Sequence, residues 1–198
     1  MKLTEVIQFV DFLSAFPRIK RSNKIKGKTD FENDAEHSYQ LAMVVWYLAD
    51  AMNIQVNRQL LLEYALAHDL VEIYAGDVDT FLKNSEDDQQ VKKRKETDAF
   101  GHIKKDFPQF VSLHGSIERF EHLVDTESKL VYIVDKMLPD INIFLSNDTY
   151  YKDNKVTYED WQQWVKSKIE KSGVDDEEVL ALVNQLGEFQ KSKKVFFE

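Results

Sequence analysis

Residues 65–77 read ALAHDLVEIYAGD, an apolar helical run that carries His68, Asp69, Glu72 and Asp77 within ten residues. No other feature restricts the fold so strongly. A carboxylate buried without a partner is costly, or gives up its charge. The stretch therefore lies at the surface or packs beside positive charge. Two more helical stretches repeat the pattern. His37 stands one turn before Leu41, on the side of a helix that continues through Val44, Val45 and Leu48. Asp135 stands one turn after Val131 and three residues before Leu138, on the core face of TESKLVYIVDKMLPDINIFL, residues 126–145.

Successive helical residues are rotated by roughly 100°. His68 and Asp69 thus reach one point only if it lies between their directions, and Glu72 falls on that same side. A divalent cation at the shared point would neutralise carboxylates that a core cannot otherwise hold. Imidazole with carboxylate suits zinc, manganese, iron or cobalt better than calcium. Taken singly, each residue has an ordinary reading. A lone histidine on an apolar face is usually hydrogen-bonded core, a His-Asp pair arises by chance, and Asp135 would suit a buried partner for a lysine. Three helices that each turn a ligand inward make the stronger pattern.

The rest of the chain is read as helical. Leu3, Val6, Ile7, Val10 and Leu13 give a first amphipathic helix over residues 3–16, ended by Pro17. RIKRSNKIKGKTDFEND shows no period and reads as a long loop, with Asp34 as N-cap of the next helix. A third helix is expected from Asn57 through to Gly76. A charged helix should begin at Ser85, with Val91, Phe100, Ile103 and Phe107 as a thin apolar stripe. In the helix of residues 126–145, Val131, Val134, Leu138, Ile141 and Leu145 share a face, and Pro139 should bend or break it. TYEDWQQWVKSKIEK and DDEEVLALVNQLGEFQ complete the chain as amphipathic segments. Six glycines and three prolines are too few for a turn-rich β fold, and no strand alternation stands out. The expectation is an all-α bundle, one domain over 1–198.

His37, the His68-Asp69 pair and Asp135, in the words AEHSYQLA, LAHDLVEIYAGD and ESKLVYIVDKM, resemble the H…HD…D signature of the HD-domain metal-dependent phosphohydrolases. These words resemble the bacterial 5′-deoxynucleotidase branch and its relatives. The likeness covers about residues 5–145, with residues 146–198 as a helical extension. The resemblance implies a helical bundle around one divalent cation (manganese, cobalt, iron, zinc or magnesium), a nucleotide substrate and a homodimer. It assigns His37, His68, Asp69 and Asp135 to the metal and Glu72 to the attacking water. Asp77 either supplies a proton to the leaving oxygen or holds the 3′-hydroxyl. Thr80 and Lys83 become candidate substrate contacts. In that branch an arginine precedes an aromatic-Pro pair; here Ala15 precedes Phe16-Pro17, so Arg18 or Arg21 is expected to hold the phosphate.

Other features bound the function. A net charge of −9 disfavours a nucleic-acid polymer as partner. No cysteine is present, which excludes disulfides and thiolate metal sites. MKLTEVIQFVDFL, broken by Glu5 and Asp11, is unlike a signal peptide, and no apolar run reaches the roughly 20 residues of a membrane helix. A cytoplasmic location without membrane contact is expected. Lys92-Lys93-Arg94-Lys95 reads as a solvated face, and Trp46, Tyr47 and Tyr64 read as core. Two other functions compete with the nucleotidase. One is hydrolysis of a cyclic or alarmone nucleotide, against whose cyclic-dinucleotide branch the lack of an HHE triplet and a GYP word counts. The other is a non-catalytic nucleotide-binding protein that keeps a metal for stability; such a protein needs neither Glu72 nor Asp77.

Overall fold

In a computed structural model, residues 2–82, 85–192 and 197 are described. Helix α1, Leu3–Ala15, runs into a single 3-10 turn at Phe16–Arg18. Strands β1, Lys20–Lys24, and β2, Phe31–Asn33, then pair antiparallel, with Lys20 opposite Asn33 and Lys24 opposite Phe31. Helices α2 (Asp34–Ala51), α3 (Arg58–Ala67), the single turn α4 (Glu72–Ala75), α5 (Glu86–Asp106) and α6 (Val111–Glu121) follow. Helix α7 (Thr126–Ser146) is central, and α8 (Tyr150–Asp153), α9 (Tyr158–Ser172) and α10 (Glu177–Ser192) close the bundle.

The described residues form three apolar clusters, and two of them hold the elements that carry the site. One joins Leu41 and Val45 of α2, Leu61 and Tyr64 of α3, and Val131 and Val134 of α7, with Val183 of α10 packed among them. The other joins Phe12 and Phe16 to Leu70 and Val71 and to Ile103 of α5. His37 and Asp135 belong to α2 and α7 of the first core, and His68 directly follows α3 where the two clusters meet at Ala65 and Ala67.

Several expectations need correction. The basic loop holds a short β-ribbon, turned at Gly27, whose φ of +84° suits glycine. Its strands have no alternating pattern because backbone pairing holds them, while β1 packs on α7. The N-cap of α2 is Asn33. Its side chain accepts the Glu36 amide at 3.1 Å, and the Glu36 carboxylate accepts the Asn33 amide at 3.2 Å. Asp34 is thereby displaced into the first turn and completely buried. The third helix breaks after Ala67, and residues 68–71 form turns before α4.

Helix α7 also continues through Pro139. A proline within a helix costs ~3 kcal/mol. Leu138 and Ile143, both 2 % exposed, offset it at ~1.5–3 kcal/mol each. On the same helix Leu145 is exposed and the buried positions include Asn142 and Ile143. Helix α1 turns its aromatic side, Phe9 and Phe12, inward and leaves Leu3, Val6, Ile7, Val10 and Leu13 outward, because the larger rings bury more surface. Val91 is exposed for a like reason: Ala99 and Ile103 carry the contact of α5. Trp46 and Tyr47 are exposed, whereas Tyr64 is core, since α2 faces its neighbours with Leu41, Ala42 and Val45.

Candidate metal centre

His37 lies in the second turn of α2 with its ring fully buried. Its Nε2 is 2.9 Å from Asp135 Oδ1, and its Nδ1 has no hydrogen-bond partner. Behind that nitrogen, 3.7 Å away, is Glu32 Oε2. Glu32 is itself held by the Asn23 amide at 2.9 Å and the Asn142 amide at 3.0 Å.

The end of α3 sets the other half. His68 Nδ1 is 3.1 Å from the Ala65 carbonyl, which only accepts, so Nδ1 carries the hydrogen. Nε2 then turns a lone pair inward, toward Asp69 Oδ2 at 3.0 Å and Asp135 Oδ1 at 3.7 Å, with no hydrogen-bond partner of its own. One donor atom from each of His37, His68, Asp69 and Asp135 lies within 4.8 Å of the others. Nitrogens facing carboxylate oxygens at these distances need positive charge between them, which a proton on Nε2 or a bound cation supplies. Burial by itself would lower the His68 pKa; the Asp69 and Asp135 carboxylates outweigh it and push it up to about 9. The donor set and the orphaned Nε2 fit a divalent cation with nitrogen and oxygen ligands.

A second acidic group shares Asp69: Asp34, Asp69 and Glu72 also bring ligand atoms within 4.8 Å of one another. Asp34 Oδ2 and Glu72 Oε2 are buried without partners. Burial, and next the charge of Asp69, raises Asp34 to about 7 and Glu72 well above the ordinary carboxylate range. Asp77 is raised mainly by burial as well, against the pull of Arg21.

Three cations answer these carboxylates. The Arg21 guanidinium, on β1, donates to Asp69 Oδ2 at 2.8 Å and Asp34 Oδ1 at 3.3 Å. Lys136 Nζ is 2.6 Å from Asp135 Oδ2. Lys92 Nζ is 3.6 Å from Glu72 Oε1 and 3.0 Å from Glu96. Arg21, Asp69, Glu72, Asp77, Lys92 and Lys136 line one cleft.

The loop after Gly76 adds Thr80 and Phe81 to the wall of this cleft. It is held by the C-terminal helices: Tyr150 donates its hydroxyl to Asp79 at 2.6 Å, and the Trp164 indole donates to the Thr80 carbonyl at 3.3 Å. Lys83 lies outside the described residues. Arg18 is exposed and takes no part in the cleft, because a 3-10 turn places it three residues ahead of Arg21, outside the ribbon's inner face. Glu36 is a first-turn charge paired with Lys28.

Sequence reading overlooked Glu32, Asp34 and Lys136, and it assigned Lys92 to solvent. For Lys92 a signal existed, since Glu96 stands at the i+4 position of the same helix.

In the wall of the same cleft, Asp140 accepts the Trp161 indole at 2.9 Å and the Tyr151 hydroxyl, which ties α8 and α9 to α7. Burial raises its pKa from the ordinary 3.8 to about 7. The folded chain thus keeps a proton that the unfolded chain releases. This contribution to stability is complete below about pH 4 and is lost as pH rises through about 7. Asp140→Asn is expected to flatten the stability curve across that window, measured by urea unfolding. An unchanged slope would remove Asp140 as its origin.

A helical bundle with paired histidines and aspartates converging between its cores defines a histidine–aspartate metal-binding class. Residues 16–175 match the family model described as the HD domain, and the chain belongs to that family. No curated relative matches the sequence. Among solved structures, a predicted metal-dependent phosphohydrolase from Magnetospirillum magnetotacticum superposes with a TM-score of 0.77 at 20 % identity, covering 99 % of this chain and 98 % of that one. An HD-domain phosphohydrolase from Listeria innocua gives 0.56 at 18 %, over 91 % of this chain and 97 % of that one. The PH0347 protein of Pyrococcus horikoshii gives 0.61 at 20 %, over 92 % and 98 %. These likenesses establish the shared fold.

Proposed function

We propose that the protein is a metal-dependent phosphohydrolase that releases phosphate from (deoxy)nucleoside 5′-monophosphates. The observation that carries this reading is the convergence of His37, His68, Asp69 and Asp135 beside a buried Glu72 whose Oε2 has no partner. Two of the superposing structures are described as metal-dependent or HD-domain phosphohydrolases, which supports the reaction class.

The four residues named would hold one divalent cation. When bound, it supplies Lewis acidity toward a phosphoryl oxygen and acidifies water at neutral pH. Glu72 accepts the proton of the attacking water as oxygen bonds to phosphorus. The bond from phosphorus to the nucleoside oxygen breaks, and Asp77 protonates that oxygen. Asp77, which lines the same cleft as Glu72, is assigned this acid role rather than a purely structural contact with the 3′-hydroxyl. Arg21 holds the phosphate with the paired donors of its guanidinium. The loop at Thr80 meets the sugar.

We extend the proposal to a cytoplasmic homodimer. The outward apolar residues Leu3, Ile7 and Val10 of α1, and Tyr39 and Tyr47 of α2, offer apolar surface for a second copy to cover, and sedimentation velocity tests it.

Release of inorganic phosphate, assayed across nucleotides with manganese, cobalt, magnesium and zinc, is the direct test. Release from no monophosphate under any of these metals would refute the reading. Release only from cyclic or alarmone nucleotides would favour another phosphoester. Arg21→Ala is expected to lower kcat/KM for a deoxynucleoside monophosphate by about 10- to 100-fold, the worth of one charge-assisted phosphate contact. Arg18→Ala should stay within about twofold, as surface changes usually do. Equal behaviour of the two variants would exclude Arg21 as the phosphate holder.

A further inference from the structure

Positive charge on this acidic chain is concentrated beside the cleft in a way that the proposed reaction does not use. Lys136 of α7 and Lys171 of α9 both sit on the Tyr132 ring, their ammonium groups 5.3 Å and 5.2 Å from its centre. Lys168, one turn before Lys171, sits 5.2 Å from the centre of Trp164. Trp164 and Lys136 belong both to the wall of the metal cleft and to a smaller apolar recess that takes the stem of Lys168. Lys92, on α5, completes a strip of four lysines from three helices.

The inner and outer halves of the strip differ. Lys136 and Lys92 are matched by Asp135, Glu72 and Glu96 within 4.0 Å. Among the described residues, Lys168 and Lys171 have no carboxylate at ion-pair distance; Glu121 and Glu96 act on Lys171 from further away. Partial burial, and then the charges of Lys136, Lys171 and Lys92, pull Lys168 down to about 8. Like charges gathered without counter-ions, on a chain of net charge −9, raise the energy of the fold and favour any anion that comes between them.

We infer that Lys168 and Lys171 form a second phosphate subsite beside the one that takes the 5′-phosphate, so that a nucleotide carrying a further phosphate group binds more tightly than the monophosphate. The inference rests on the reading that the metal cleft takes the first phosphate. Its direction follows from the continuity of the strip: a ligand anchored at Arg21 and Lys136 extends along Trp164 to reach Lys168. A nucleic-acid polymer or an acidic protein would not need a strip that begins inside the cleft.

The test is calorimetric binding of inorganic phosphate and of pyrophosphate to the manganese-loaded protein, compared with the Lys168→Ala/Lys171→Ala double variant. Chelation of free manganese by pyrophosphate is common to both proteins, so their difference reports on the strip. The wild type is expected to prefer pyrophosphate over phosphate by about tenfold or more, as charge-assisted contacts allow. The double variant should lose most of that preference with phosphate affinity held within about twofold, and Lys168→Arg/Lys171→Arg should restore it. Phosphate binding without a pyrophosphate preference, or a double variant that behaves as wild type, overturns the inference and leaves the proposed function standing. Binding of neither anion by the wild type overturns both.

Discussion

Asp69→Ala should abolish divalent-metal binding and with it all measurable phosphate release. Asp69 is shared by both groups of converging donors, and its Oδ2 lies between His68 and Arg21. Removing it leaves two imidazoles and one carboxylate and also frees Arg21 to move onto Asp34. The variant should still fold, because Asp69 is one of the charges that raise the cost of ionising Asp34 and Glu72. For the wild type, free metal at 100 times its Kd stabilises the fold by about 2.7 kcal/mol. That corresponds to a rise in Tm of about 5–10 °C for a chain of this length. The variant should show no rise. Thermal unfolding with and without manganese, together with metal analysis of the purified protein, decides it: unchanged metal content would strike Asp69 from the ligand set.

Glu72→Gln should keep the metal and lose most turnover. The amide has nearly the volume of the carboxylate and preserves the packing of α4 against α5, yet it cannot accept a proton from water. General-base assistance is commonly worth about 10²–10⁴ in rate, so kcat should fall by that factor while KM changes little. The same metal-induced rise in Tm as wild type shows that the site is intact. Wild-type kcat in a metal-loaded variant would reduce Glu72 to a structural partner of Lys92, which is 3.6 Å from its other oxygen.

Much of the fold was readable in the chain because helical burial leaves a period. His37 and Asp135 stand on apolar faces, and their inward orientation followed from Leu41, Val131 and Leu138 without any long-range information. Asp34 shows where this fails. In sequence it is one of two adjacent cap-forming residues, and the choice between Asn33 and Asp34 depends on Glu36 closing its reciprocal hydrogen bonds with Asn33. That choice turns a presumed cap into a buried carboxylate at the metal centre. Pro139 fails for another reason: the local rule forecasts a break, but the packing on both sides of α7 outweighs the lost hydrogen bond.

The sequence by itself determined that three apolar helices carry imidazole and carboxylate groups inward, and that such groups need a cation. Periodicity and the cost of buried charge are local properties, and they suffice for that conclusion. Only the tertiary structure decided which positive charges serve the site. Arg18 and Arg21 stand in the same basic segment, but the 3-10 turn and the ribbon turn Arg21 onto Asp69 and leave Arg18 in water. Lys92 and Lys136 look like ordinary surface lysines until α5 and α7 bring them against Glu72 and Asp135. Side-chain charge is written in the residue, but its partner is set by a contact between segments far apart in the chain, which no local pattern encodes.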